Sequence, residues 1–232
     1  MPYINPGPGV FVPSDLMPYI SNTQAVKQPP IHSFMGGFLT GAAIAEDVKE
    51  GLISIEPYDP ANLNPNSYNL TIGNTCKILD HNCETVINPF IDISQLNIEA
   101  TYRYIDTAKP IQYTDIEIPE EGLILRPGEL YLIATNETIG TDCYIPMITG
   151  RSSMGRIGVS VHQEAGFGDI GYHGKWTLQV TVVKPVKIYP NMKIAQMYMV
   201  VPSGSIVDLY HGKYQNSDTA AGSQINKDFY TK

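Results

Sequence analysis

GRSSMGRIGVSVHQEAGFGDIGYHGKWTLQ, residues 150–179, is the stretch from which the rest of the chain can be read. Arg151 and Arg156 flank two hydroxyls, Ser152 and Ser153, and Gly150, Gly155 and Gly158 allow backbone to approach a ligand closely. Guanidinium groups engage phosphate oxygens through paired, charge-assisted hydrogen bonds, so the cluster has the chemistry of an anion clamp. Thirteen residues beyond Arg156 stands Asp169, within the turn Gly168-Asp169-Ile170-Gly171-Tyr172. Trp176, Leu178, Val180 and Val182 then alternate with Thr177, Gln179 and Thr181. That period of two predicts a half-buried strand with Gln179 on its polar face, opposite Trp176. Clamp, carboxylate, aromatic ring and polar strand residue together describe a nucleotide site. A glycine-rich turn with solvated arginines has the same letters, and the residues alone leave both readings standing.

Outward from this stretch, short strands predominate. Tyr144–Ile148 is predicted to deliver the chain to Gly150, and Ile194–Met199 to form the last core strand after a turn at Pro190-Asn191. Upstream, Tyr131–Thr135 reads as a buried strand, Gly122–Leu125 as a strand ending in the turn Arg126-Pro127-Gly128, and Tyr68–Ile72 as a strand ending at Gly73. Residues 76–120 resist parsing, except that Pro110–Tyr113 should enter a strand. One helix is expected over 40–51, where Ile44, Val48 and Leu52 recur at helical spacing and Gly51 suits the C-terminal end, followed by a brief strand at Leu52–Ile55. Many short strands with one helix point to a mostly β fold, a barrel or jelly-roll-like sandwich, in one core domain. Residues 1–34, with seven prolines and no sustained period, read as an extension outside a domain running from 35 to 232.

Composition narrows the function classes. A 232-residue chain is ample for one core, and 43% hydrophobic with 16% charged residues is ordinary for a soluble protein. The net charge of −8 argues against a general nucleic-acid binder, although local arginines can still set the field in a cleft. Cys76, Cys83 and Cys143 are too few and too irregular for a disulfide framework and read as buried free thiols. With no membrane-spanning apolar run and no signal-peptide pattern at the start, a cytoplasmic setting is expected. His162-Gln163-Glu164 spells the H-x-E of zinc deaminases, but no cysteine follows Cys143 to complete the ligand set, so zinc is not expected and His162 is read as a core histidine.

GRSSMGRIG, AGFGDIGYHG, WTLQVTVVKP and IYPNMKIAQ, together with IEPYDPANLNPNSYNLTIG (55–73) and the tail GKYQNSDTAAGSQINKDF (212–229), resemble the dCTP deaminase branch of the dUTPase-like superfamily. The resemblance spans roughly residues 40–232 in order. It implies a distorted dUTPase-like β-barrel with one or two short helices, assembled as a homotrimer with sites shared between subunits. It also implies zinc-independent deamination of dCTP to dUTP and ammonia, with Mg²⁺ held on the triphosphate and dTTP as a possible inhibitor. Site residues carry over by position. Ser152 holds the attacking water, Arg156 lies near the reacting centre, and Arg151 with Ser153 meets phosphates. Ala165 turns its carbonyl towards the water and leaving amine, Asp169 contacts the 3′-hydroxyl, and Tyr172 packs under the sugar. Thr177, Leu178 and Gln179 read the base edge, largely through backbone groups. Gln196, Tyr210 and Lys213 meet the triphosphate.

This chain departs from the family pattern in three places. Asn69 stands where the family usually has Asp, with a local structural effect expected, and Ser217 stands where the tail usually has Gln. Above all, Gln179 occupies the position of the glutamate that relays protons. An amide can hydrogen-bond a water but cannot take its proton, so deamination should be impaired. An engineered change that traps substrate, a natural change of reaction and a natural loss of catalysis all fit. The alternatives to a deaminase are a dUTPase or bifunctional enzyme using Asp169, and a catalytically silent nucleotide-binding protein. The tail, lacking the Gly-rich Arg-containing motif of trimeric dUTPases, favours the deaminase branch.

Overall fold

Alternation of apolar and polar residues builds the fold around four long antiparallel strands. A computed structural model describes residues 37–80, 85–87, 101–103, 105–162 and 164–230. The extension expected at 1–34, and Cys83, lie outside the described residues. In chain order the strands are β1 (Gly37–Phe38), β2 (Ile53–Glu56), β3 (Leu63–Asn64), β4 (Ser67–Leu79), β5 (Thr85–Ile87), β6 (Thr101–Arg103) and β7 (Tyr113–Glu117). They continue as β8 (Leu123–Leu125), β9 (Tyr131–Thr141), β10 (Ile145–Gly150), β11 (Val159–Val161), β12 (His173–Val182), β13 (Val186–Ile188) and β14 (Lys193–Val201). Among the described residues, two short α-helices, α1 (Gly41–Lys49) and α2 (Ser152–Gly155), accompany the strands, with two 3₁₀ turns. The architecture is therefore mostly β, as expected.

The main sheet runs β1-β14-β4-β9-β12-β11, with β10 also on β14, β2 also on β9, and β3 and β7 also on β4. Its inner face carries Tyr68, Leu70, Ile72, Ile133, Leu178, Val180, Ile194 and Met197, all buried in one core. Strand β12 shows why: Trp176, Leu178, Val180 and Val182 are buried while the residues between them are not, the period-two signature of a sheet with one covered face. Helix α1 begins where the sequence suggested. The Thr40 hydroxyl caps it by accepting from the Ala43 N–H at 3.2 Å, and Gly51 beyond its end adopts φ +72°, a conformation that glycine reaches without steric cost.

Strand β4 corrects the expected stop at Gly73. It continues to Leu79, because a register irregularity between Ile72 and Cys76 absorbs the glycine within the strand. The Asn136 amide supports that irregularity, donating to the Ile72 carbonyl at 2.9 Å and to Thr71 Oγ1 at 3.0 Å. Strands β9 and β14 likewise outrun their expected lengths. Cys76 and Cys143 are buried and lie outside any disulfide, and burial pushes the Cys76 thiol up to about 11. Among the described residues no helix is long and apolar enough to cross a membrane.

Candidate active site

A cavity of about 410 Å³ opens between β12, the loop that leads from β11 to the Asp169 turn, and the C-terminal tail. Ala165, Asp169, Tyr172, Thr177, Gln179, Tyr210 and Ser217 all line it. Each arrives by a different local device. Gln179 and Thr177 project from the polar face of β12, and the Gln179 carbonyl accepts from the His162 N–H at 2.8 Å, fastening the loop to the strand. The loop is also stitched to β10: Gly168 N–H donates to the Pro146 carbonyl at 2.9 Å, and the Gly166 carbonyl accepts from Ile148 at 2.8 Å. Gly168 has to be glycine, because a Cβ there would stand 2.2 Å from Trp176 Cη2 and 2.8 Å from the Pro146 carbonyl oxygen. The Asp169 turn closes through the Tyr172 N–H to the Asp169 carbonyl at 3.2 Å, leaving the Asp169 side chain at the exposed mouth.

The wall is aromatic. Tyr172 meets Trp176 and Tyr210 edge-on at 5.2 and 5.8 Å, and its hydroxyl donates to the Lys175 carbonyl at 2.6 Å. Burial pushes the Tyr172 phenol up to about 12, so it stays protonated and serves as a donor and a flat surface. His162 is buried beside Trp176 with φ +54°. Burial holds its pKa below the usual imidazole value, against an opposing influence from the Ala165 and Thr177 backbones. It is therefore a neutral ring at physiological pH.

The tail covers one side. Asn216 N–H donates to the His173 carbonyl at 2.8 Å, Lys175 N–H to the Ser217 carbonyl at 2.7 Å, and Ala221 N–H to Thr177 Oγ1 at 2.8 Å. Ser223 N–H reaches the Tyr113 hydroxyl at 3.1 Å. Tyr113, from β7, also lines the cavity, as do Leu130, Leu132, Phe167 and Tyr214, none of which the sequence singled out. Tyr113 enters through tertiary contact with residues more than a hundred positions away, which no local pattern announces.

The remaining expected residues lie elsewhere within the chain. Arg151, Ser152, Ser153 and Arg156 do not line the cavity. They form an outward ledge at the end of β10 and around α2, beside Gln196 on β14. The reason is topological: β14 is separated from β12 by β4 and β9. The Arg151 guanidinium is held by the Lys193 carbonyl at 3.0 Å, while Ser152, Ser153 and Arg156 are exposed. Leu178 is fully buried on the core face, leaving only its backbone for recognition. Lys213 pairs instead with Asp228 at 2.7 Å, and that partner raises its pKa. Thus the contiguous stretch 150–179 divides between two places, the cavity and a cationic ledge.

Comparison with known proteins bears on the family. Residues 38–200 match the family model described as dCTP deaminase-like. The chain is 43% identical over 192 residues to the "dCTP deaminase, dUMP-forming" of Clostridium botulinum (strain Eklund 17B / Type B), covering 82% of this chain and 98% of that one. It is 38% identical over 191 residues to the protein of the same name from Cytophaga hutchinsonii, again covering 82% and 98%. Among solved structures, the 2′-deoxycytidine 5′-triphosphate deaminase of Agrobacterium tumefaciens superposes with a TM-score of 0.52 at 17% identity. That superposition covers 72% of this chain and 49% of the other, and it shows a shared fold. By its family match and by relatives aligned across nearly their whole length, the chain belongs to the dCTP deaminase-like family.

Proposed function

We propose that this protein is a dCTP deaminase of the dUMP-forming type whose deamination step is impaired by Gln179. The observation that carries the reading is convergence. In a chain 43% identical to such an enzyme, Ala165, Asp169, Tyr172, Thr177 and Gln179 meet on one cavity of nucleotide size. The base enters against β12, where the Thr177–Gln179 backbone reads its edge, and the sugar stacks on Tyr172 with its 3′-hydroxyl on Asp169. On the ledge, Arg151 and Ser153, together with Gln196, receive the triphosphate, while Ser152 and Arg156 face the reacting centre. Because ledge and cavity are apart within one chain, a neighbouring subunit's ledge completes each cavity, in keeping with a homotrimer. The catalytic unit takes in residues 35–232.

In hydrolytic deamination a water oxygen adds to C4 of the cytosine, and the exocyclic amine leaves as ammonia after gaining protons. The Ala165 carbonyl and Ser152 hydroxyl orient that water and Arg156 supports the developing charge. The group at 179 must take the proton from water and pass it on. Gln179 can hold the water but has no basic site for its proton, a loss worth about 10²–10⁴-fold. Hydrolysis between the α- and β-phosphates, with Asp169 orienting the water, would then give dUMP and diphosphate. The residues assigned to the phosphates are neutral or cationic, which suits a Mg²⁺ ion carried by phosphate oxygens, the ion neutralising triphosphate charge.

The test uses the full chain and its Gln179→Glu variant, each incubated with dCTP and with dUTP while ammonia and diphosphate are measured. Ammonia from dCTP in the variant, at least a hundredfold faster than from the chain as written, is the expected result. Diphosphate from dUTP with no ammonia from dCTP in either chain would favour a dUTPase, and no product from either chain would leave a silent nucleotide-binding protein.

A further inference from the structure

Beneath the ledge, four side chains form a hydrogen-bonded line. Asn69 Nδ2 donates to Asn64 Oδ1 at 3.2 Å, Asn64 Nδ2 to Ser67 Oγ at 3.1 Å, and Ser67 Oγ to Gln196 Oε1 at 3.1 Å. Gln196 Nε2 then faces the Gly150 carbonyl at 3.5 Å, directly before Arg151. Strand register assembles the line: Gln196 lies opposite Asn69 across β14 and β4, Asn64 opposite Ser67 across β3 and β4, and Thr149 opposite Gln196 across β10 and β14. Asn69 and Ser67 are buried, at 6% and 5% exposure, so water does not readily substitute for a missing partner. The β3–β4 turn is itself pinned by the start of α1, since the Gly41 N–H donates to the Pro65 carbonyl at 2.8 Å.

The line has a direction, and the direction has a consequence at Gln196. A serine hydroxyl has one hydrogen to give. Because Asn64 donates to Ser67, that hydrogen goes to Gln196 Oε1. A glutamine amide can present either its oxygen or its NH₂ group to a ligand. With Oε1 engaged from behind, the NH₂ end is turned towards the ledge, and its Gly150 contact is too long to occupy it fully. An anion accepts hydrogen bonds and cannot donate them, so only this orientation helps bind phosphate. We propose that Asn69, Asn64 and Ser67 form a one-way relay that orients the Gln196 amide for an anionic group. Ser67 and Asn69 are thus positioning residues for the triphosphate. The inference rests on the proposed role of Gln196 as a phosphate contact.

The relay is tested by calorimetric binding of dCTP and of deoxycytidine, which has no phosphate, to the full chain and to Ser67→Ala, Asn69→Leu, Gln196→Ala and the two double variants built on Gln196→Ala. Ser67→Ala should weaken dCTP about fivefold, the scale of one neutral hydrogen bond, and leave deoxycytidine unchanged. Asn69→Leu should act in the same sense, because it removes the donor to Asn64 at which the line begins. Both effects should vanish when Gln196 is already alanine, whereas a merely structural or purely electrostatic effect would persist. Equal losses for dCTP and deoxycytidine, or additive losses in the double variants, would overturn the relay while leaving the phosphate contact intact. If Gln196→Ala itself does not change dCTP affinity, the phosphate contact fails and the relay's function falls with it.

Discussion

Glu137 is 2% exposed yet takes three hydrogen bonds from a single residue. The Thr71 N–H donates to both carboxylate oxygens at 3.2 and 3.1 Å, and the Thr71 hydroxyl donates to Oε1 at 2.8 Å. Burial raises its pKa, outweighing the Thr71 bonds and the attraction of Lys175. The sign follows from proton binding. Between the ordinary carboxylate pKa and the raised folded one, the native state binds more protons than the unfolded chain. Stability from this group is therefore full at acid pH and is lost as pH rises through the folded pKa. Glu137→Leu should cost about 1–3 kcal/mol by leaving the part-buried Thr71 donors without their acceptor. Glu137→Gln should remove the group's share of the decline with pH. Denaturant melts from pH 4.5 to 8 check both, and an unchanged slope in Glu137→Gln would refute the titration. Nothing in ATNETIG marked this glutamate, because β9 is buried on both faces and alternation does not separate inward from outward positions. Gln179 was legible for the opposite reason: β12 alternates cleanly. Asn69 was read as a local structural effect, and its place in a relay became visible only once strand register set it opposite Gln196.

At the scale of elements, β12 and the tail form the contrast. The strand could be read from period-two hydrophobicity, and the helix α1 from its apolar spacing and Gly51. The tail could not, because its attachments join side chains to backbone across dozens of residues and obey no period. The Thr177 hydroxyl accepting from Ala221 N–H, and the Tyr113 hydroxyl accepting from Ser223 N–H, hold its far end over the cavity. Thr177→Val keeps the shape of the strand residue but removes that acceptor. Amide exchange in residues 213–224 should then accelerate about fivefold, with global unfolding little changed, since one neutral hydrogen bond is lost from a locally opening segment. Thr177→Ser should restore the protection. If exchange in the tail is the same in Thr177→Val as in the parent, the strap is held by other contacts.

For the molecule as a whole, sequence proximity and spatial proximity part company. Arg156 and Asp169 are thirteen residues apart, yet the chain between them runs through β11 and the loop stitched to β10 and β12 before the cavity is reached. The stretch 150–179 thus revealed which residues gather at the cavity and the ledge but not that one chain holds the two apart. Two complementary losses can test whether subunits share the site. In the Gln179→Glu background, Arg156→Ala removes the ledge and Asp169→Ala removes the cavity carboxylate. Each homo-oligomer should be inactive in releasing dUMP from dCTP, and each should sediment at three times the mass of one chain. In a one-to-one mixed assembly, an intact cavity meets an intact ledge of its neighbour at about one site in four, so about a quarter of the Gln179→Glu activity should return. Mixed oligomers that form, as mass spectrometry would show, but stay as inactive as their parents would place both halves of the site within a single subunit.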